Sequence, residues 1–253
     1  LLCRSLSTAM RTLARLLLLI FSTPASTIVS NRRILLLHNI GSSAGAFMNR
    51  GSMGFQGAAS ASYHDGGRLA WGFGALDWDA GIEDDIEWGD WFRVPNAADA
   101  SAKGYAATEK AIALIEETFI DGGYDGILGF SEGAMIASVV AARAALGEEG
   151  ACTGSLRFAI LCGGAVPTPY EELLERLQAS KQSIPTAHCM SKADAKHGAE
   201  QGERLARYFG EEAMVAYHDG GHAMPSAKEC KPVVAYVDEA APNAYFGQGK
   251  VRG

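Results

Sequence analysis

A serine, an aspartate and a histidine occur in this chain in an order that could support nucleophilic catalysis. Ser131 stands at the centre of the pentapeptide 129–133, Gly-Phe-Ser-Glu-Gly, and Asp194 and His222 follow it along the chain. A serine hydroxyl is a poor nucleophile at neutral pH, so it needs a base to accept its proton and an acid to orient that base. We therefore take Ser131 as the candidate nucleophile, His222 as the base and Asp194 as the orienting acid.

The residues around Ser131 predict a strand, a sharp turn and a helix. The short apolar run Ile127-Leu128 precedes the pentapeptide, and a helix-period apolar pattern follows it and ends before Gly147. A turn of this kind holds a nucleophilic hydroxyl out of a sheet, and its glycines avoid collisions with neighbouring elements. A plain Gly-Ser turn without catalytic function remains the alternative for this segment.

Backbone donors for a developing oxyanion can be placed in the same way. The first N–H groups of a helix have no partner within it, so the N–H of Glu132 is one candidate. The second should come from the loop after the first strand, near Asn39 and Ile40, and we select Ile40.

The other acids and histidines are less suitable for catalysis. Asp219 is close to His222 in sequence, but the two glycines between them favour a loop. The remaining histidines are interpreted as structural or surface residues: His38 at the end of the first strand under the oxyanion loop, His188 in a strand, His197 on the surface, His218 in a turn and His64 in a variable insertion. No HExxH or paired-histidine spacing appears, so no metal is expected.

Bulk properties exclude some functions. The chain has 253 residues, 48% of them hydrophobic, a net charge of −7 and a pI near 5.4. This acidic balance argues against nucleic-acid binding, which requires a basic surface. The five cysteines have no CxxC or framework spacing, and those at 162 and 189 lie in apolar runs, which predicts buried reduced thiols.

Three regions are expected along the chain. Residues 1–30 carry arginines but no acids, with an apolar stretch too short to span a membrane, and are typical of a removable leader; an incorrectly predicted start of the chain is the alternative. Residues 31–240 are expected to form one α/β domain, and 241–253 a flexible tail. A leader would imply a secretory or organellar protein.

Alternating patterns predict the architecture of the domain. Strands are predicted at 34–37, 127–128, 158–162, 186–190 and 213–217, and helices near 106–119, 132–146, 169–179, 199–209 and 227–237. This alternation predicts a mostly parallel sheet with helices on both faces, a three-layer sandwich. The segment 50–95 is expected to be a long irregular insertion. It holds all four tryptophans, which indicates either a cap over an apolar pocket or simple surface packing.

These motifs together resemble the FSH family, the "family of serine hydrolases" of the α/β-hydrolase superfamily. The resemblance covers residues 33–238 and rests on Ile-Leu-Leu-Leu-His (34–38), Trp91-Phe92, Tyr-Asp-Gly-Ile-Leu-Gly-Phe-Ser-Glu-Gly-Ala (124–134), Leu-Cys-Gly-Gly (161–164), Asp194 and His-Asp-Gly-Gly-His-Ala-Met-Pro (218–225). It implies the same catalytic Ser131, Asp194 and His222, no cofactor, and small carboxylic esters or acyl thioesters as substrates. It also implies a cytoplasmic location.

The chain departs from the family pattern at three places. Asn39 replaces the usual glycine after the first strand, and asparagine tolerates a left-handed backbone better than most residues. Glu132 replaces the usual glutamine, and its charge, favourable at a helix N-terminus, would disfavour anionic substrates. The loop of Asp194 lacks the usual proline.

The sequence therefore predicts a serine esterase or thioesterase that acts through an acyl-enzyme. Asn39, Trp91, Phe92 and Phe130 are candidates for lining its substrate pocket. The expected partner is a small-molecule ester or thioester, with no nucleic acid and no stable membrane span, and the oligomeric state is left open. Two alternatives remain: a non-catalytic protein that binds a small molecule in the same pocket, and an acyltransferase that uses the same three residues.

Overall fold

Six parallel strands form the central sheet of the described part of the chain. The computed structural model describes residues 31–64, 70–80, 98–148, 150, 152 and 154–241. The strands are β1 (Asn31–Leu37), β2 (Ala70–Leu76), β3 (Gly126–Phe130), β4 (Phe158–Cys162), β5 (Thr186–Met190) and β6 (Met214–Tyr217). They lie in the order β2-β1-β3-β4-β5-β6, and every neighbouring pair is parallel. The carboxyl ends of all six strands therefore lie along one edge, where open α/β sheets bind their ligands.

Helices cover both faces of the sheet. The longer helices are α1 (Met53–His64), α2 (Ala98–Asp121), α3 (Glu132–Leu146), α4 (Glu171–Ser180), α5 (Gly198–Tyr208) and α6 (Ala227–Ala240), with short helical segments at Ala44–Ala46, Phe47–Gly51 and Thr168–Tyr170. One apolar cluster joins the sheet to residues of α2, α3, α4 and α5, and a second joins the opposite face to residues of α1 and α6. The predicted three-layer α/β fold is confirmed.

The composition of the central strands explains their position. Every residue of β3, β4 and β5 is buried, and each strand is a continuous apolar run or nearly so. Such runs are typical of parallel strands with helices on both sides. The edge strand β6 instead alternates between partly buried and exposed residues. The buried ladder thus gives a rigid base to the loops that leave its carboxyl edge.

Two glycines allow α3 to pack directly against the sheet. A Cβ at Gly129 would collide with the backbone of Gly133, and a Cβ at Gly133 would collide with the carbonyl oxygens of Leu37 and His38. The backbone at the start of α3 therefore touches the end of β1. This close approach brings the loop after β1 next to Ser131.

The region 50–95 differs from its prediction. Helix α1 and strand β2 lie within it, so the expectation of a long irregular segment is wrong for these residues. Trp78 is fully buried and donates a hydrogen bond to the His38 carbonyl, and Trp71 in β2 donates one to Asp238. These two tryptophans support the fold rather than cap a pocket. Residues 81–97, and with them Trp88, Trp91 and Phe92, lie outside the described residues, as do 1–30 and 242–253.

A buried arginine ties the first strand to the last helix. The guanidinium of Arg32 donates to Asp238 at 3.1 Å and to the carbonyls of Val237 and Ala241. Burial lowers the pKa of Arg32, while the neighbouring Asp238 opposes that shift.

Cysteines 162 and 189 are buried and free, as predicted, and so are 152 and 230.

Candidate active site

The side chains of Ser131, Asp194 and His222 form one hydrogen-bonded chain. The Ser131 hydroxyl lies 2.9 Å from Nε2 of His222, and Nδ1 of the same ring lies 2.8 Å from Oδ2 of Asp194. The three residues follow β3, β5 and β6, so parallel strands place them at the same edge of the sheet. With Nδ1 donating to the carboxylate, Nε2 is free to accept the serine proton.

The backbone at Ser131 is held in an unusual conformation. Its φ of 56° and ψ of −121° are sterically unfavourable for a residue with a side chain. Hydrogen bonds on both sides maintain it: its N–H donates to the Cys162 carbonyl at 2.9 Å, and its own carbonyl accepts from Ala134 and Met135. The turn therefore directs the hydroxyl away from the sheet and toward the histidine.

The two carboxylate oxygens of Asp194 have separate functions. Oδ2 accepts from His222, while Oδ1 accepts the backbone N–H groups of Lys196 at 2.8 Å and His197 at 2.9 Å. Burial alone would raise the pKa of Asp194, but these hydrogen bonds outweigh it and hold the pKa below its usual value. The carboxyl is therefore ionised at neutral pH and can stabilise a positive charge on the ring.

Neighbouring residues fix the orientation of the His222 ring. It packs between the rings of Phe130 and His197, with centroid distances of 5.2 and 5.0 Å. The hydroxyl oxygen of Ser191 accepts N–H groups from Ala193 and Gly221, each at 3.2 Å, and so joins the aspartate loop to the histidine loop. His197 is buried, so its assignment to the surface is wrong.

Three other histidines, at positions 38, 188 and 218, have structural contacts. Nδ1 of His218 accepts the N–H of Gly220, as expected for a residue that holds a turn, and burial lowers its pKa. Burial also lowers the pKa of His188 in β5 to about 3, so this ring is neutral. His38 is buried directly after β1, where its Nδ1 lies 2.8 Å from the Asn39 carbonyl oxygen.

The alternative acid, Asp219, has a different contact. Its backbone N–H donates to Glu229, whereas the carboxylate that accepts Nδ1–H of the His222 ring belongs to Asp194. Across the part of the chain that the structure describes, no group of three or more histidine, cysteine or acidic side chains is arranged to hold a metal ion.

A charged pair that sequence reasoning missed lies beside Ser131. Nζ of Lys196 is 2.7 Å from Oε1 of Glu132 and 3.5 Å from the Ser131 hydroxyl. The second oxygen, Oε2, lies 3.4 Å from the N–H of Ile40. Of the two predicted oxyanion donors, Glu132 directly follows the serine, and Ile40 contacts the side chain of Glu132. A lysine two residues after the acid was the available signal, but nothing in the sequence places it against Glu132.

An open cavity adjoins the site. It has a volume of about 680 Å³, within the range of ligand pockets, and most of its wall is apolar. Asn39 and Phe130, two predicted pocket residues, line it together with Phe47, Met224 and others.

Among described residues other than glycine, Ser131 and Lys181 have a positive φ. Asn39 is therefore not left-handed, whereas Gly41 is, with a φ of 76°.

The fold is that of the α/β-hydrolases, and comparison with known proteins gives the family. A family model described as "Serine hydrolase (FSH1)" matches residues 29–234. The chain therefore belongs to this serine hydrolase family.

Curated relatives are named as esterases. "Esterase C25G4.2" of Caenorhabditis elegans is 32% identical over 152 residues, which cover 57% of this chain and 66% of that protein. "Esterase OVCA2" of Mus musculus is 37% identical over 108 residues, 42% of this chain and 44% of that protein. The matched part is thus less than two thirds of the length of either relative.

Solved structures share the fold at low identity. The esterase PE8 superposes with a TM-score of 0.55 at 19% identity and covers 86% of this chain and 96% of its own. Acyl-protein thioesterase 2 of Zea mays gives 0.52 at 18% identity, with 84% and 95% covered. At this identity the likeness concerns the fold alone. Within the described residues, none of the helices combines the length and apolarity that crossing a membrane requires.

Proposed function

We propose that this protein hydrolyses carboxylic esters or acyl thioesters through an acyl-enzyme on Ser131. The observation that carries the proposal is the continuous hydrogen-bonded chain from the Ser131 hydroxyl through His222 to Asp194, at 2.9 and 2.8 Å. These are the distances at which a base can accept a hydroxyl proton while an acid holds the base in place. Membership of a serine hydrolase family and the esterase names of the relatives agree with it.

The reaction has two halves in this geometry. In the first, the Ser131 oxygen attacks the carbonyl carbon, Nε2 of His222 takes the hydroxyl proton, and the carbonyl oxygen becomes an oxyanion. The histidine then gives that proton to the departing alcohol or thiol, which leaves an ester on Ser131. In the second half the histidine takes a proton from water, the hydroxide attacks the ester, and the proton returns to the serine as the carboxylic acid departs.

Two backbone N–H groups are suitable for stabilising the oxyanion. The N–H of Glu132 begins α3, and the N–H of Ile40 comes from the loop that Gly133 brings against the helix. Donors of this kind, fixed before the reaction, typically contribute a factor of about 10²–10³ to turnover each.

The cavity next to Phe130 is suited to the apolar part of the substrate. Its wall combines Phe47, Phe130 and Met224 with the small residue Ala46. Apolar groups that enter it are removed from water, which favours binding by roughly 25 cal/mol per Å² buried. Ala46→Leu should therefore narrow the cavity and shift the preference among p-nitrophenyl esters toward shorter acyl chains.

Covalent labelling tests the mechanism directly. A fluorophosphonate probe should modify the protein, and peptide mapping should locate the adduct on Ser131. The variant Ser131→Ala should lose labelling and at least about 10³-fold in hydrolysis of short p-nitrophenyl esters. Ser138→Ala is the matched control, because this buried serine in α3 donates its hydroxyl hydrogen to the helix carbonyl of Met135. Full activity of Ser131→Ala would disprove the proposal.

A further inference from the structure

The carboxylate of Glu132 lies beside the backbone N–H of Ile40, one of the two proposed oxyanion donors. The side chain of Glu132 is only 3% exposed, and Oε2 is 3.4 Å from the Ile40 N–H. Burial raises the pKa of this carboxyl, but hydrogen bonds from Lys196 and from its own backbone N–H contribute to a net lowering. The ionised side chain thus folds back over both proposed donors.

A carboxylate oxygen resembles an oxyanion in charge and in the donors it accepts. Backbone N–H groups that are arranged for a tetrahedral oxyanion therefore also bind a carboxylate. As long as Glu132 accepts the Ile40 N–H, that donor is unavailable to a substrate.

The neighbouring Lys196 provides an ion-pair partner with which the Glu132 carboxylate can remain paired outside the pocket. Nζ of Lys196 is 2.7 Å from Oε1 of Glu132, and its side chain is 40% exposed. A buried carboxylate without a cation is strongly unfavourable, and Lys196 supplies that cation at Glu132. Because Lys196 reaches solvent, the pair can move outward together without breaking the ion pair.

We propose, on the basis of the hydrolase function above, that Glu132 occupies the oxyanion pocket of the free protein and that Lys196 is the positioning residue that draws it out for the substrate carbonyl. The substrate competes with an internal anion for the Ile40 N–H. Hydrogen bonds to charged groups contribute enough that their loss corresponds to roughly a tenfold change or more in an equilibrium.

Removal of the charge on Glu132 tests the occupancy. Glu132→Gln keeps the shape of the side chain, so we expect kcat/KM for a short p-nitrophenyl ester to rise about tenfold, with a lower KM. A phenylboronic acid, whose adduct with Ser131 places an oxygen in the same pocket, should bind more tightly by a similar factor. A purely structural role for Glu132 would leave boronic acid affinity unchanged or weaker, and either result would overturn the proposal. Glu148→Gln, which removes another ion-paired glutamate, should change neither quantity.

Variants of Lys196 test its part independently. Lys196→Met should lower kcat/KM and boronic acid affinity about tenfold, because Glu132 then has no cation to follow. The double variant with Glu132→Gln should recover both. If the loss persists in the double variant, Lys196 stabilises the reaction directly through its approach to Ser131, and the proposal is wrong. Wild-type labelling on Ser131 together with no gain in Glu132→Gln would reject this inference alone, whereas absence of labelling would reject the hydrolase function.

Discussion

Asp194→Asn should abolish catalysis without disturbing the fold, because the surroundings of this side chain fix how an amide would sit. One carboxylate oxygen accepts two backbone N–H groups, from Lys196 and His197, and the other accepts Nδ1–H of His222. The asparagine carbonyl will take the position with two donors. Its NH₂ group will then face the ring.

The preference for this orientation can be estimated. The opposite orientation would leave the N–H groups of Lys196 and His197 facing an NH₂ group, and each buried donor left without a partner costs about 1–3 kcal/mol. The total of about 2–6 kcal/mol favours the first orientation by at least roughly 30-fold. Nδ1 of His222 must then accept a hydrogen bond, so Nε2 carries the proton and cannot receive the one from Ser131. The same change of tautomer costs about 10⁴ in kcat in a serine protease triad.

Steady-state hydrolysis of a short p-nitrophenyl ester measures this effect. We expect kcat to fall by roughly 10³–10⁴ while KM and the melting temperature stay close to those of the wild type. Asp219→Asn is the matched control, since this acid is closer to His222 in sequence but its contact is a backbone hydrogen bond to Glu229. Retention of more than about a tenth of the activity by Asp194→Asn, or an equal loss in Asp219→Asn, would refute the tautomer argument.

Three further predictions concern stability. Gly133→Ala should prevent folding or lower the melting temperature strongly in a thermal shift assay, whereas Gly45→Ala, whose Cβ would meet no atom within 4 Å, should be nearly neutral. Arg32→Met should cost about 3 kcal/mol in urea unfolding, because it leaves Asp238 without its buried cation. Burial raises the pKa of Glu116 from 4.5 to about 7. The contribution of neutral Glu116 to the stability of the folded protein is therefore complete below pH 4.5 and is lost as the pH rises through 7. Glu116→Gln should make the melting temperature less dependent on pH across this interval, and an unchanged slope would contradict the assignment.

The sequence predicted the interior of the sheet best. Strands β4 and β5 have the predicted bounds, because continuous apolar runs between turn residues are typical of strands buried on both faces. Strand β2 was missed because its Ala-Trp-Gly-Phe-Gly-Ala-Leu sequence holds two glycines, which have weak strand preference. A Cβ at Gly74 would collide with the Tyr124 side chain. The glycine at position 74 is thus required by a contact between residues far apart in the chain, and such a contact cannot be recognised from the local sequence pattern.

Helix α1 was missed for a related reason. Its sequence, Met-Gly-Phe-Gln-Gly-Ala-Ala-Ser-Ala-Ser-Tyr-His, is rich in small residues and shows little helical periodicity. Gly54 lies so close to the backbone of Pro225 that a Cβ would collide with it. The small residues permit close packing against the segment that leads into α6. Tertiary contact, rather than intrinsic preference, therefore determines this helix.

In the candidate site, too, some features could be predicted from the sequence, whereas others depend on contacts between residues far apart in the chain. The positions of Ser131, Asp194 and His222 at one edge follow from parallel pairing, since the residues after parallel strands all lie at the carboxyl edge of the sheet. Their catalytic roles stay predictions. The Glu132–Lys196 pair depends on the path of the loop after β5. From the sequence alone, we expected the negative charge of Glu132 to disfavour the binding of anionic substrates. With an ammonium 2.7 Å away, that charge is compensated, so the expected penalty for an anionic substrate is largely removed, and the main effect of Glu132 becomes competition for the Ile40 N–H.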